Sequence, residues 1–126
     1  MSAVLLTSDL MVASRVEGAA ARVRVSLQTV PTVERVAELC DQGRVQLVLV
    51  DLSAPALKPG DLVDRLASVA PGRPTIVAFG PHVHEALLTA AREAGCDEVV
   101  SRGQFFAQLD AILQRLNTNL DASESD

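Results

Sequence analysis

Short apolar runs alternate with stretches of helical periodicity along the whole chain. Ala3–Thr7 (AVLLT), Val23–Leu27 (VRVSL), Gln46–Val50 (QLVLV), Thr75–Phe79 (TIVAF) and a short Glu98–Val100 read as five strands. The first, third and fourth show little polar alternation, the mark of strands buried on both faces of a parallel sheet covered by helices. Between them lie amphipathic segments. DLMVASRVEGAAAR carries Leu10, Ala13, Val16 and Ala20 at helical spacing, and PTVERVAELCDQG carries Val33, Val36, Ala37 and Cys40 on one face, with Pro31 near its start and Gly43 at its stop. Gly60–Val69, Val83–Ala94 and Gln104–Leu116 supply three more helices, the fourth closed by Gly95. Five β-α units joined by right-handed crossovers point to an open, doubly wound sheet. Chemistry in such sheets sits at the carboxyl ends of the strands, which selects Ser8–Asp9, Asp51–Pro55, Gly80–His84 and Ser101–Gly103.

Composition narrows the class. The 126 residues fit one domain, taken as 1–117, with an acidic tail TNLDASESD (118–126) expected to be disordered. Aromatics are only 2%, so the core is built from Val, Leu and Ala, and the stacking surfaces used to bind nucleic-acid bases are missing. A net charge of -5 also argues against direct nucleic-acid binding. There is no signal-peptide pattern and no apolar run of the roughly 20 residues needed to span a bilayer, so a cytoplasmic protein without membrane contact is expected. Cys40 and Cys96 stand far apart in no CxxC arrangement and read as buried free thiols. His82 and His84 are two residues apart at a helix start, do not share a face, and have no evident third ligand, so they read as a solvated loop.

One stretch carries a sharper signal. In VQLVLVDLSAP (Val45–Pro55) an apolar strand runs straight into Asp51, followed by a proline bend that leads to Gly60. With AREAGCDEVVSR (Ala91–Arg102), an Ala-Gly turn followed by a fifth strand and a cation, the chain resembles the receiver domains of bacterial two-component response regulators over about residues 3–116. The resemblance implies a flavodoxin-like fold with strand order 2-1-3-4-5 and five helices. It also implies Asp51 as candidate phosphoacceptor, its carboxylate attacking phosphohistidine phosphorus with a divalent cation neutralising the transferred group.

Other positions of the implied site depart from the family pattern. Its acidic pair falls on Ser8 and Asp9, so a hydroxyl replaces one acid; Ser53 supplies the expected backbone carbonyl. The hydroxyl position after strand four lands on Gly80, and the lysine position after strand five lands on Arg102, or on Ser101 if the register slips by one. The aromatic switch position on strand five is Val99. Ser8, Gly80 and Arg102 are thus degenerate phosphoryl-contact and switch positions. Mg²⁺ at Asp9, Asp51 and Ser53 is expected to bind weakly.

The expectation is an atypical receiver, not an enzyme, acting mainly by protein–protein interaction with weak or no phosphorylation at Asp51. Its partner would be a histidine kinase, a phosphotransfer protein or an output domain, with homodimerisation through the α4-β5-α5 face left open. The alternative is a competent Mg²⁺-dependent receiver phosphorylated on Asp51 by a histidine kinase. A small-molecule-binding domain on the same architecture ranks below both, because LLTSDLMVAS offers no glycine-rich phosphate loop after strand one.

Overall fold

A computed structural model describes residues 2–55, 57–68 and 72–116. The chain alternates β1 (Ser2–Leu6), α1 (Leu10–Val23), β2 (Ser26–Val30), α2 (Val33–Asp41), β3 (Val45–Asp51), α3 (Pro59–Ala67), β4 (Thr75–Gly80), α4 (Glu85–Ala94), β5 (Glu98–Ser101) and α5 (Arg102–Ala107). A sixth helix, α6, covers 109–116. All four strand pairings are parallel and the sheet order is β2-β1-β3-β4-β5. The fold expected from the resemblance is the one observed, with six helices in place of five. The acidic tail expected at 118–126 lies outside the described residues.

Alternation along each strand sorts the core into two layers. Ala3, Leu5, Leu47, Leu49, Val77 and Phe79 face α1, α5 and α6. Val4, Leu6, Val48, Val50, Ile76 and Ala78 face α2, α3 and α4. The near-absence of polar residues in β1, β3 and β4 follows directly, since both faces of these strands are covered. Scarce aromatics are concentrated in one place: Phe79 and Phe105 stack with centroids 3.9 Å apart, and Phe106 meets Phe105 edge-on at 5.3 Å.

Two elements differ from the sequence expectation. The second strand, expected at Val23–Leu27, begins at Ser26 because α1 runs on through Val23. Arg24 then turns the chain in the left-handed conformation (φ 59), its N–H donating to the carbonyls of Ala20 and Ala21, and Val25 is spent in the core below the helix end. The last helix, expected as one piece over 104–116, starts earlier and is broken. Ser101 caps it, accepting from the Gln104 N–H while the Gln104 side chain accepts from the Ser101 N–H, so Arg102 is its first residue. Gln108 interrupts it before α6.

Candidate functional site at the carboxyl edge of the sheet

Strand register decides what surrounds Asp51. Leu6 pairs with Val50 across β1 and β3, so the next residue, Thr7, falls beside Asp51; on the other side Asp51 pairs with Phe79 of β4. Leu5, Leu49 and Phe79 share the α1/α5 face, and strand parity carries Thr7 and Asp51 to that same face. The Thr7 hydroxyl donates to Asp51 Oδ2 at 2.7 Å, and the Ser53 backbone N–H donates to Asp51 Oδ1 at 2.9 Å. Asp51 keeps only 2% of its surface exposed and Thr7 4%. A buried carboxylate with a donor on each oxygen is a satisfied group.

Asp9 closes the mouth of the site. It is the N-cap of α1, its Oδ1 accepting from the N–H groups of Met11 (2.8 Å) and Val12 (3.2 Å). Its Oδ2 takes the Arg102 guanidinium at 3.1 Å, across a sequence gap that spans most of the chain. The Asp9 N–H in turn donates to the Thr7 oxygen at 3.1 Å. The Val12 and Met11 N–H groups, helped by Arg102, hold the Asp9 carboxyl below the usual carboxylate range against a smaller opposing effect of burial.

The sequence-predicted positions separate into two groups. Asp51, Asp9, Arg102 and the Ser53 backbone come together, joined through Thr7. Ser8 lies exposed beside them. Gly80 is turned away: a Cβ built on it would meet Leu52 Cβ at 3.3 Å and Leu88 Cδ2 at 3.6 Å, both on the opposite face of the sheet. On β4 the residue flanking Asp51 on its own face is Phe79, so neither position offers a hydroxyl. Ser101 spends its hydroxyl on the helix cap, and it is Arg102 that reaches the acid. Val99 is half-buried against the α2/α3/α4 layer.

Thr7 and Phe79 are the residues that sequence reasoning passed over. A hydroxyl at the end of an otherwise apolar first strand was the available signal for Thr7, but assigning it to Asp51 requires the β1/β3 register.

Magnesium was the implied cofactor, and the oxygens here do not fit it. Mg²⁺ demands near-octahedral oxygen coordination at about 2.0–2.1 Å. All four carboxylate oxygens of Asp9 and Asp51 are already engaged by N–H, O–H or guanidinium donors. No group of three or more His, Cys, Asp or Glu side chains is arranged to hold a metal ion among the described residues.

Above Asp9 and Arg102 a cleft of about 740 Å³ opens between the start of α1, the β4–α4 loop and the start of α5, lined by Met11, Val12, Pro81, Val83 and Phe106 among others. Arg15 lies over the Phe106 ring at 3.8 Å. Two exposed apolar side chains stand in its lining, Met11 (75% exposed) and Val83 (70%).

No family model matches the chain, and no curated protein matches it. Solved structures do. The receiver domain of a sensor histidine kinase from Pseudomonas aeruginosa, described with a magnesium ion coordinated in its active-site cleft, superimposes with a TM-score of 0.77 at 17% identity, covering 90% of this chain and 94% of that one. A CheY-like protein (TadZ) from the same organism matches at 22% identity and TM-score 0.72, covering 92% and 98%. The receiver domain of Ssk1 from Saccharomyces cerevisiae, co-crystallised with the histidine phosphotransfer protein Ypd1, matches at 12% identity and TM-score 0.67, covering 81% and 78%. The chain has the fold of response-regulator receiver domains. No helix among the described residues is long and apolar enough to cross a membrane.

Proposed function

We propose that this chain is a receiver-fold signalling module that works by binding a protein partner, without phosphoryl transfer to Asp51. The observation that carries this reading is the state of the carboxylate. A nucleophilic aspartate must present a free oxygen to an incoming phosphorus. Asp51 is 2% exposed and both its oxygens are occupied, one by a neighbouring hydroxyl and one by the backbone that follows it. Two groups expected to stabilise a transferred phosphoryl are otherwise placed, since Phe79 and not a hydroxyl flanks Asp51 on β4 and Arg102 is bound to Asp9.

A module that has no phosphoryl group to respond to acts through the surface it always shows. The cleft with exposed Met11 and Val83 in its lining is such a surface, since isolated exposed side chains are ordinary but apolar side chains grouped around a cleft favour a partner. A phosphotransfer protein, a histidine kinase or an attached output domain is the partner class that the fold suggests, and the likeness to a receiver co-crystallised with Ypd1 supports it. The α4-β5-α5 face is left for self-association.

Beryllofluoride with saturating Mg²⁺ tests the reading. Amide chemical shifts should be unchanged by the addition, in the wild type as in Asp51→Asn. A spectral change that Asp51→Asn abolishes would instead make this a competent phosphoacceptor.

A further inference from the structure

We infer that Arg102 is the resident cation of this sheet edge, held at Asp9 where a divalent ion would otherwise bind, so that the arrangement around Asp51 is set without metal. The inference rests on the reading that the domain works without phosphoryl transfer, and deepens it by naming the group that replaced the ion.

Arg102 is delivered by local structure. The Ser101–Gln104 capping box fixes the start of α5, which places Arg102 in the first helical turn with Nη2 3.1 Å from Asp9 Oδ2. The other Asp9 oxygen is committed to the N-terminus of α1, so the carboxylate cannot swing toward a metal without uncapping that helix. From Asp9 the hydrogen bonds continue through its own N–H to Thr7, and through the Thr7 hydroxyl to Asp51. A metal ligated by both acids would have to displace the guanidinium and turn away the Thr7 hydroxyl. It would then sit beside a fixed positive charge that arginine cannot lose at accessible pH.

The ion pair is half exposed, with side chains 39% and 42% accessible, so its own contribution to stability is small. Its consequence is for occupancy. The guanidinium sits on the Asp9 oxygen that a divalent ion would need, whether or not the pair itself stabilises the fold.

The test is a Mn²⁺ titration of the full chain, followed by the paramagnetic signal of the free ion at constant ionic strength, for wild type and Arg102→Ala. Thermal unfolding with and without millimolar MgCl2 gives a second readout. Wild type should show no saturable binding in the millimolar range and no Mg²⁺-dependent shift in Tm. Arg102→Ala should bind at least about tenfold more tightly, equivalent to about 1.4 kcal/mol, gain a Mg²⁺-dependent rise in Tm, and lose both when Asp9→Asn is added. Should Arg102→Ala not fold, Arg102→Gln removes the same charge with a larger side chain.

Arg102→Ala binding no better than wild type would overturn the inference. That result, with the wild type inert to beryllofluoride, leaves the functional reading standing. A beryllofluoride response in the wild type overturns that reading instead.

Discussion

The Thr7 hydroxyl and Asp51 Oδ2 lie 2.7 Å apart, joining the ends of β1 and β3 inside a site with almost no access to water. This bond gives Asp51 a structural role. Removing the donor leaves a buried polar oxygen without its partner, which costs about 1–3 kcal/mol. Thr7→Val keeps the side-chain shape and should lower the urea midpoint by that much with an unchanged slope, while Thr7→Ser should retain most of the stability. A Thr7→Val domain as stable as the wild type would show that Asp51 finds another donor.

The opposite edge of the sheet is clamped by Asp97, which predicts an acid limb of stability. Arg73 grips this carboxylate with both guanidinium nitrogens at 2.9 and 3.0 Å, and the Ile76 N–H donates at 2.7 Å. Burial raises the Asp97 pKa, but the Arg73 and Ile76 contacts outweigh it and the net shift is downward from 3.8. The unfolded chain therefore binds more protons than the folded one near that pH, so the stabilisation is present above 3.8 and is lost as pH falls through the lower folded value. Asp97→Asn should flatten the stability curve below about pH 4, as followed by chemical denaturation across pH.

Much of this architecture was legible in the chain because burial on two faces leaves a plain record. β1, β3 and β4 are apolar runs for that reason, and their positions needed adjustment by only a residue or so. β2 was misplaced because Val23–Leu27 alternates as an edge strand would, while Val23 in fact finishes α1 and Val25 fills the core beneath it. The break at Gln108 has no glycine or proline to announce it. At the site, the apolar strand ending in Asp51 and the resemblance to receiver domains pointed to Asp51, Asp9 and Arg102, but contacts across strands were invisible. The Thr7–Asp51 bond depends on the β1/β3 register, and the turning of Gly80 toward Leu52 depends on strand parity one residue past Phe79.

Cys40 supplies an alkaline counterpart to the acid limb. Burial, reinforced by the negative charge of Asp41, pushes its thiol from 9.0 up to about 11. In the window between those values the unfolded chain has already released the proton that the folded chain retains, so stability falls as pH rises through it. Cys40→Ala should reduce that slope at the expense of a small cavity. In the native protein at neutral pH, Cys40 should also react more slowly with a disulfide reagent than the less buried Cys96.

Returning a hydroxyl to Gly80 tests whether this edge can be restored to a switch by one substitution. A serine there must place its Cβ 3.3 Å from Leu52 Cβ, tighter than ordinary packing, and 3.6 Å from Leu88 Cδ2, on the face away from Asp51. Overpacking of this kind typically costs about 1–3 kcal/mol, so Gly80→Ser should be destabilised within that range. Leu52→Ala should not rescue it, because alanine keeps the Cβ that makes the tight contact and removes only a Cδ1 in ordinary contact at 3.6 Å. Neither variant should respond to beryllofluoride, because the added hydroxyl faces the α3/α4 layer while Phe79 remains stacked on Phe105 beside Asp51. A ligand shifts a conformational equilibrium only through contacts that differ between its two states, and among the described residues no hydrogen bond from β4 reaches the carboxylate. In the wild type, in Gly80→Ser and in Asp51→Asn alike, beryllofluoride should therefore leave amide exchange over α4 and β5 unchanged. An Asp51-dependent change in protection over Glu85–Ala94 in any of them would mean that coupling runs through the backbone of the β4–α4 loop and not through a side chain.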